Sequence, residues 1–361
     1  MPVGDDASAQ SAREGVRPAT PTLSEVARLA RVSSGTASKA LNGSGQLRAE
    51  TRQRPQQAAA ALGFRPNPSA RGLVQGRTYT VGLITDDGFG RFSIPVLLGA
   101  EDALGAGQMG LFFCDTRDDP VRERHYVSML VGRRVDGVIV TGRVTGGRTP
   151  LDVPPHIPVV YAMIRSATPD DASVTYDDEG GGRLAVEHLI AVGRRRIAYV
   201  GGPRHHHSAS ARFLGWQRAL AGAGLPVVRP DLAFGAWSEE WGRQAAVVLA
   251  SAVPDLDGVF CGSDQVARGV IDGLRETGRH VPDDVAVVGF DNWDVMVTGR
   301  RPTLTSVDPD LQTVGRVAAE HLLLAIDGRP PRGVHLVAPR LVVRESTAPA
   351  TTYPSRYPRH D

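Results

Sequence analysis

Apolar positions near the N-terminus recur at helical spacing and predict three short helices, over residues 23–30, 34–41 and 49–62. The first helix starts at a capping box, because the Thr22 hydroxyl can accept from the amide of Glu25 while the Glu25 carboxylate reaches back. The second helix begins about four residues after the first, and small apolar side chains pack all three. This spacing is typical of a helix-turn-helix unit.

From Tyr79 onward the pattern changes to apolar runs that alternate with helical stretches. Strands are predicted over 80–85, 110–114, 137–141, 158–162, 197–201, 258–261 and 285–290. Helices are predicted over 95–106, 120–132, 181–192, 211–222, 238–251, 265–278 and 310–326. Strand and helix in alternation favour parallel sheets with right-handed crossovers. The stretch is longer than one sheet usually needs, so we expect two lobes with a cleft between them.

Charge is distributed unevenly along the chain. Between Thr22 and Arg77 there are nine basic side chains and two acids, a net charge of +7, whereas the whole chain carries only +2. A compact basic segment beside an acidic remainder indicates a module that binds a polyanion. A solvated basic face is the alternative that charge alone leaves open.

Composition indicates a cytoplasmic protein. Hydrophobic residues make up 41% of the chain and charged residues 22%, which is typical of a packed globular protein. No apolar stretch approaches the roughly 18 residues that a membrane span needs, and residues 1–21 lack the apolar core of a secretory signal. Cys114 and Cys261 lie in apolar strand-like runs, as small buried side chains do in a reducing compartment.

Several stretches of the chain together form a specific pattern. They are TLSEVARLARVSSGTASKALNGSGQLRAETR, ALGFRPNPSARGLVQGRT, GVIVTG, DDEGGGRLAVEHLIAVGRRRIAYVGGP, CGSDQVARG, VPDDVAVVGFDN and PTLTSV. With this combination, over about residues 22–346, the chain resembles the lactose-repressor (LacI/GalR) family. The resemblance implies a DNA-binding transcriptional regulator, expected to be a repressor, in which a helix-turn-helix headpiece precedes a two-lobed, periplasmic-binding-protein-like α/β domain with parallel sheets.

Five segments are expected along the chain. They are a disordered leader (1–21), a headpiece (22–66), a hinge helix and linker (67–77), an effector-binding domain (78–346) and a disordered tail (347–361). Within the effector-binding domain, the N-lobe is expected over about 78–176 and 306–335, and the C-lobe over about 177–305 and 336–346.

The resemblance places the second helix in the DNA major groove, with its first side chains on base edges. Positions that match base readers are Ser34, Gly35 and Lys39, and positions that match phosphate contacts or caps are Thr22, Ser33, Thr36, Ser38 and Asn42. Lys39 can donate to guanine O6 or N7, whereas Gly35 offers no side chain, so we expect fewer bases to be read directly. Without the resemblance, Thr36 and Ser38 would be interpreted as ordinary helix-surface residues.

Asn67 to Gly76 match the hinge helix of the family, which folds when it pairs with a second copy on DNA. The implied DNA contacts are Asn67, Ala70 and Leu73. Leu73 is placed to wedge between base steps in the minor groove and to bend the duplex. Gly72 and Gly76 each lower helix stability by about 1 kcal/mol relative to alanine, which suits an element that orders only on DNA.

Two headpiece residues depart from the family pattern. Arg31 occupies a turn position where the family usually has glycine, so a residue with a side chain must adopt the backbone angles of the turn. Pro55 stands where the family has an apolar helix residue, and a proline costs roughly 3 kcal/mol in a helix interior. We therefore expect the third helix to start later or to kink, and the headpiece to be less stable alone.

Ligand-binding residues also follow from the resemblance, which implies an effector between the lobes. They are Phe92, Arg212, Trp237, Ser263, Asp264 and Asp291, with Phe89 and Asp177 as weaker candidates. An arginine, carboxylates and an aromatic plane suit a polyhydroxylated ligand, because they supply charge-assisted hydrogen bonds and a flat apolar contact. A sugar is therefore expected in preference to a nucleoside. A salt bridge between Arg212 and Asp291 is the alternative interpretation of these two side chains.

No cofactor, metal ion or catalytic residue is expected. The run His205-His206-His207 has no fixed carboxylate or cysteine partner in the sequence, which makes it a weak metal candidate. Asp177-Asp178-Glu179 resembles a carboxylate cluster, but it leads into a glycine run and a helix. Acids at a helix N-terminus are favoured electrostatically, which is the simpler explanation.

Two other classes of protein are alternatives. A periplasmic-type sugar receptor shares the two-lobed fold, but it should carry a signal peptide and no basic helix-turn-helix. An enzyme on an α/β scaffold should show a GxSxG, Walker A, HExxH or strand-initiated GxGxxG motif, and the sequence contains none of them. The expected partners are double-stranded operator DNA, a small-molecule effector and a second copy of the chain, with no membrane.

Overall fold

Two units make up the chain, and they divide between Thr78 and Tyr79. The computed structural model describes residues 21–42, 45–64, 77–88, 90–106, 109–143 and 145–348. The predicted DNA contacts Asn67, Ala70 and Leu73 lie outside the described residues, as do Phe89, nearly all of the predicted leader and most of the predicted tail.

The described part of the first unit contains three helices, α1 (Leu23–Ala30), α2 (Ser34–Leu41) and α3 (Ala49–Leu62). The predicted capping box is formed. The Glu25 amide donates to Thr22 Oγ1 over 3.3 Å, and the Thr22 amide donates to the Glu25 carboxylate over 2.7 Å. The buried core is small and includes Val26, Ala30, Ala58 and Ala59, with larger side chains packed at its edge.

Both departures from the family pattern are accommodated in this unit. Arg31 ends α1 in the left-handed region, with φ 53° and ψ 46°, a conformation that costs a residue with a side chain about 1–3 kcal/mol. Helix α3 begins at Ala49 and continues through Pro55 to Leu62, so the expected later start is wrong. The Pro55 ring is buried, and that burial offsets part of the lost backbone hydrogen bond.

The second unit alternates strands and helices. Its strands are β1 (Thr80–Thr85), β2 (Gly110–Asp115), β3 (Gly137–Val140), β4 (Gly147–Arg148), β5 (Val159–Ala162), β6 (Arg165–Ser166), β7 (Ser173–Tyr176), β8 (Ile197–Val200), β9 (Gly258–Cys261), β10 (Ala286–Phe290), β11 (Thr305–Asp308), β12 (Val334–Val337) and β13 (Arg340–Val342). Its helices are α4 (Ser93–Ala106), α5 (Pro120–Gly132), α6 (Asp178–Ala191), α7 (His207–Gly222), α8 (Glu239–Ala252), α9 (Asp264–Glu276), α10 (Asp294–Val297) and α11 (Leu311–Ile326), with a short 3-10 turn at Pro230–Leu232.

Eleven of these strands form two sheets, one in each lobe, and β4 pairs with β6 in a separate two-stranded sheet. The N-lobe sheet has six parallel strands in the order β12-β7-β5-β3-β1-β2. The C-lobe sheet has the order β13-β11-β10-β9-β8, and only the edge strand β13 runs antiparallel. Strands β3, β7, β8, β9 and β10 are buried at every position, as parallel strands with both faces covered require. The predicted α/β architecture with parallel sheets is confirmed.

The chain crosses between the two sheets three times, at 176–178, 308–311 and 337–340. The second and third crossings lie a few residues later than the predicted boundaries. The reason is that β11 pairs within the C-lobe sheet and β12 pairs within the N-lobe sheet. All three crossings connect edge strands or their immediate neighbours, so they lie together on one side of the cleft and form its hinge.

The ordered domain extends to the beginning of the predicted tail. Thr347 is buried, and its hydroxyl hydrogen-bonds His188 and the hydroxyl of Thr305 at 2.9 and 2.8 Å. Its expected disorder is therefore wrong, because the segment after β13 packs back on the C-lobe. Within the described ranges, no helix is both long and apolar enough to cross a membrane.

Candidate functional site

A cavity of about 580 Å³ lies between the two lobes. Most of its lining follows the carboxyl ends of strands in both sheets, which is where α/β sheets bind ligands. The N-lobe contributes Asp86, Arg91, Phe92, Asp118, Arg143, Thr145 and Tyr176, and the C-lobe contributes His206, Ser208, Arg212, Trp237, Ser263 and Asp291. Five of the six predicted ligand residues therefore meet in this cavity, and Asp264 is the exception.

Arg212 is held in place from several sides. It projects from α7, and its Nε donates to the carboxylate of Asp178 over 2.8 Å. Its Nη1 donates to the carbonyl of Gly262 and lies 3.6 Å from a carboxylate oxygen of Asp291, while its Nη2 donates to the hydroxyl of Tyr176 over 3.2 Å. The side chain is only 4% exposed. Its orientation is therefore fixed before any ligand binds.

A close approach between α6 and α7 positions this arginine. A Cβ atom added to Gly182 would lie 2.5 Å from the backbone oxygen of Arg212, and one added to Gly215 would lie 2.1 Å from the backbone oxygen of Glu179. Only glycine allows the two helices to pack this closely. The glycine run after Glu179, which no sequence motif linked to the site, therefore sets the distance from Arg212 to Asp178.

The site holds its charges in pairs. Burial alone would lower the pKa of Arg212, but the neighbouring carboxylates of Asp178 and Asp291 outweigh burial and raise it. Burial raises the pKa of Tyr176 well above its ordinary value. The Tyr176 hydroxyl therefore stays protonated, accepts from Arg212 and keeps its own proton for a hydrogen bond.

Asp291 lies between two guanidinium groups. Its carboxylate forms an ion pair with Arg91 from the N-lobe and faces Arg212 from the C-lobe. The residue has φ 102°, and its amide donates to the carbonyl of Val307 over 2.9 Å, so the backbone is fixed just after β10. Burial raises the pKa of Asp291, and the two arginines oppose that effect. The Asp291 carboxylate therefore faces Arg212, as the salt-bridge interpretation expects, and it is also the carboxylate that is predicted to contact the ligand.

Trp237 is fixed by His206, which belongs to the histidine run that the sequence suggests only as a weak metal candidate. The indole Nε1 donates to His206 Nδ1 over 2.8 Å. His206 is therefore the neutral tautomer with its proton on Nε2. Burial, His205 and Arg143 lower its pKa, which favours this neutral form.

The two neighbours Ser263 and Asp264 have different positions. Ser263 lines the cavity, although its hydroxyl also accepts from the amide of Val266 at the start of α9. Asp264 is completely buried outside the cavity and accepts from the Ser306 hydroxyl over 2.5 Å and from the Trp293 amide over 2.7 Å. Burial raises the pKa of Asp264 to about 8. Its side chain accepts structural hydrogen bonds and does not line the cavity.

The N-lobe wall is built on loops. Arg143 forms an ion pair with Asp118 at 2.9 Å, and its amide donates to Asp86 over 3.0 Å. Phe92 lines the same wall, and its amide donates to Asp87 over 2.7 Å. The weaker candidate Asp177 is absent from the residues that line the cavity and instead caps α6 by accepting from Gly180 over 2.8 Å.

Three carboxylates and three guanidinium groups line the cavity. They are Asp86, Asp118 and Asp291, and Arg91, Arg143 and Arg212. The formal charge of the lining is therefore balanced when His206 is neutral. In the described ranges, no three His, Cys, Asp or Glu side chains come together in a way that could hold a metal ion.

Helix α2 of the headpiece presents a polar face outward. Ala37 and Ala40 are buried, whereas Ser34, Gly35 and Lys39 are exposed. The remaining predicted contacts are Thr22, Ser33 and Asn42, which are exposed, and Thr36 and Ser38, which are half-buried. Ser33 also caps α2, since the Thr36 amide donates to its hydroxyl over 3.2 Å. The base-reading positions named from the resemblance thus lie on one accessible helix.

Comparison with known proteins decides the family. Residues 22–67 match the family described as bacterial regulatory proteins, lacI family, and residues 186–347 match the periplasmic binding protein-like domain. The chain is 35% identical over 336 residues to the HTH-type transcriptional regulator CelR of Thermobifida fusca, an alignment that covers 90% of this chain and 98% of that protein. The chain belongs to the LacI family. It is also 33% identical to catabolite control protein A of Priestia megaterium, over 82% of this chain and 90% of that protein.

Solved structures agree with this assignment. A complex of the transcriptional regulator CelR with cellobiose matches with a TM-score of 0.62 at 32% identity, covering 90% of this chain and 99% of that one. The lac repressor dimer bound to operator and an anti-inducer matches with a TM-score of 0.70 at 26% identity, covering 91% and 99%. The predicted resemblance and fold are confirmed, and this LacI-family protein is a DNA-binding transcriptional regulator.

Proposed function

We propose that this LacI-family regulator is a repressor whose operator affinity is changed by a neutral sugar bound between the lobes. The balanced charge of the cavity lining carries this proposal. A phosphorylated or otherwise anionic ligand would need an excess of guanidinium groups, whereas a neutral polyol needs both carboxylate acceptors and cationic donors. The indole of Trp237 supplies the flat apolar contact that a sugar ring requires.

The size of the cavity and one relative support a sugar in preference to a nucleoside. About 580 Å³ lies within the range of small-molecule sites. The regulator CelR, which is 32% identical in its solved structure, is described as a complex with cellobiose. A β-linked disaccharide is therefore the first ligand to test, and this regulator acts as a sensor and not as an enzyme.

The chain acts as a homodimer, and the dimer couples sugar binding to operator binding. Exposed apolar side chains occur on α4 (Ile94 and Leu98) and on the edge strand β2 (Phe112 and Phe113), two elements that contact each other. Exposed apolar surface of this kind is typical of a protein–protein contact. Two headpieces would then bind a pseudo-palindromic operator in the cytoplasm. Sugar closes the cleft, and operator affinity changes by the difference in sugar affinity between the two states.

The direct test uses the purified full chain. Cellobiose, glucose and adenosine are titrated by calorimetry, and operator affinity is measured by mobility shift with and without each compound. We expect saturable binding of cellobiose or glucose and a change of about 5-fold or more in operator affinity. Binding of adenosine alone would reject the sugar proposal. If chromatography shows that the sugar is chemically converted during the titration, the protein is instead an enzyme.

Lys39→Ala is expected to relax the base preference at one position of each operator half-site. Loss of a lysine contact to guanine removes about 1–3 kcal/mol of discrimination. Selection from a library of randomised operators measures the change. Arg28→Ala, which removes one exposed positive charge from α1, is the matched control and should weaken binding without altering the preferred sequence. An unchanged preference in Lys39→Ala would remove this residue from base reading.

The hinge helix between the headpiece and the effector-binding domain remains a prediction from the resemblance. Asn67, Ala70 and Leu73 lie outside the described residues, so their proposed minor-groove contacts depend on the family pattern alone. We propose that the leucine wedge acts together with the headpiece. Gly35 contributes no side chain to base reading. Deformation of the DNA by the hinge helices then supplies part of the specificity for the operator sequence.

A further inference from the structure

Arg91 separates two cavities. It lines the effector cavity and also a second cavity of about 320 Å³ on the hinge side of Asp291. Polar residues of this second cavity include Asn292, Asp294, Asp308, Asp310 and Arg340. The Arg91 side chain is only 16% exposed. Neither the resemblance nor the comparisons assign it a role.

Arg91 is an N-lobe residue that reaches into the C-lobe. Its Nη2 donates to a carboxylate oxygen of Asp291, and the centre of its guanidinium lies 4.4 Å from the centroid of the Trp293 ring. The same group lies 4.8 Å from the centroid of Phe92. Both oxygens of Asp291 therefore face guanidinium groups, one from Arg91 and one from Arg212.

A sugar that uses Asp291 must compete with one of these two arginines. Arg212 is fastened by Asp178, Tyr176 and the carbonyl of Gly262. Arg91 is held less completely, because its Nε is buried and has no hydrogen-bond partner among the described residues. An unsatisfied buried donor carries a free-energy cost. Arg91 is thus the arginine that a ligand can displace.

The Arg91 side chain can turn into the second cavity when it leaves Asp291. The carboxylates of Asp294, Asp308 and Asp310 line it, against one further arginine, Arg340. Asp308 is already bonded to Arg340 at 2.8 Å, but the other two carboxylates make no ion pair with a described residue. A guanidinium that leaves Asp291 while it stays stacked on Trp293 can therefore keep a charged partner.

We propose that Arg91 is a specificity-determining residue, which pairs with Asp291 and is displaced only by a ligand with paired hydroxyl groups. This inference rests on the proposed sugar function. A polyol gives Asp291 two hydrogen-bond donors in exchange for one guanidinium, whereas a ligand with a single hydroxyl does not replace the ion pair. Arg91 therefore lowers the affinity of every ligand at Asp291, and it lowers the affinity of poor donors most.

The test compares the full chain with Arg91→Met and Arg91→Gln. Methionine keeps the contact with Trp293 without the charge, and glutamine keeps a polar end. Calorimetry with cellobiose should give an affinity at least tenfold higher in both variants, because the binding-competent state no longer requires displacement of Arg91. In the Asp291→Asn background, Arg91→Met should give no gain. Arg316→Met, on the exposed face of α11, is the matched control and should leave the affinity unchanged.

The possible outcomes separate the two proposals. Cellobiose binding that is equal or weaker in both Arg91 variants would overturn the displacement role. Tighter binding of glucuronate than of cellobiose by the parent, lost in Arg91→Met, would show Arg91 to be a direct contact for an anionic ligand, which also overturns it. If no sugar binds the parent or the variants while near-UV circular dichroism shows an intact fold, the proposed function fails, and this inference fails with it.

Discussion

Arg212→Met is expected to lower the free energy of unfolding by about 3–5 kcal/mol, because it leaves Asp178 buried without a charged partner. The substitution also removes the donors that Gly262 and Tyr176 now use. Methionine fills most of the space beside the Phe290 ring, over which the guanidinium lies at 3.5 Å from the centroid. The loss should therefore come from the charge and the hydrogen bonds. Urea unfolding at a fixed chain concentration measures it.

Two further variants identify the cause. The double variant Asp178→Asn/Arg212→Met removes both buried charges and should recover a substantial part of the lost free energy. Arg218→Met removes an exposed arginine of α7 that pairs with Glu179, so it should change the free energy of unfolding by less than about 1 kcal/mol. A free energy of unfolding for Arg212→Met within 1 kcal/mol of the parent would contradict the role of this network.

Asp291→Asn is expected to lower sugar affinity by at least 100-fold while operator affinity without sugar stays within about threefold. Asparagine has nearly the same shape, but one acceptor oxygen becomes a donor and the charge is lost. Two charge-assisted hydrogen bonds of about 1.5–3 kcal/mol each account for a loss of this size. Calorimetry gives the sugar affinity, and a mobility shift gives the operator affinity in the same preparation.

Asp283→Asn is the matched control, since it makes the same chemical change on an exposed loop of the C-lobe. This variant should bind sugar and operator like the parent. A normal sugar response in Asp291→Asn would remove this carboxylate from the binding site. Loss of operator binding without sugar would show that the substitution disturbs the fold and not the ligand contact.

Most elements of the effector domain follow from the sequence, because buried parallel strands and their helices leave clear apolar patterns. Strands β1 and β9 begin and end where the pattern predicts. The pattern did not identify β12, where Val334, His335 and Leu336 are exposed. A four-residue edge strand of this kind forms because β7 lies beside it, and such tertiary pairing is not visible in a short sequence window. The boundaries between the lobes were misplaced for the same reason.

The candidate site was predictable in its C-lobe half and less so in its N-lobe half. Arg212, Trp237 and Asp291 came from the family pattern, and they meet in the cavity. Asp86 and Arg143 each follow a predicted strand, so the rule that ligands lie at carboxyl ends could have identified them. Arg91 and His206 lie on loops without such a signal. Asp264 was predicted as a ligand contact, but its side chain is buried outside the cavity. The direction of a side chain at the start of a helix depends on packing, which the sequence pattern does not reveal.

The two walls of the cleft differ in how much change they tolerate. The C-lobe wall is held by the contact of Gly182 with Arg212 and by the buried carboxylate of Asp178, so substitutions of these residues lower the stability of the domain. On the N-lobe wall, the Arg143 and Asp118 side chains are 49% and 71% exposed and lie on loops. Substitutions in these loops cost little stability. New effector specificities in this lineage are therefore expected to arise by mutation of the N-lobe loops, while the C-lobe wall keeps the same sugar-binding chemistry.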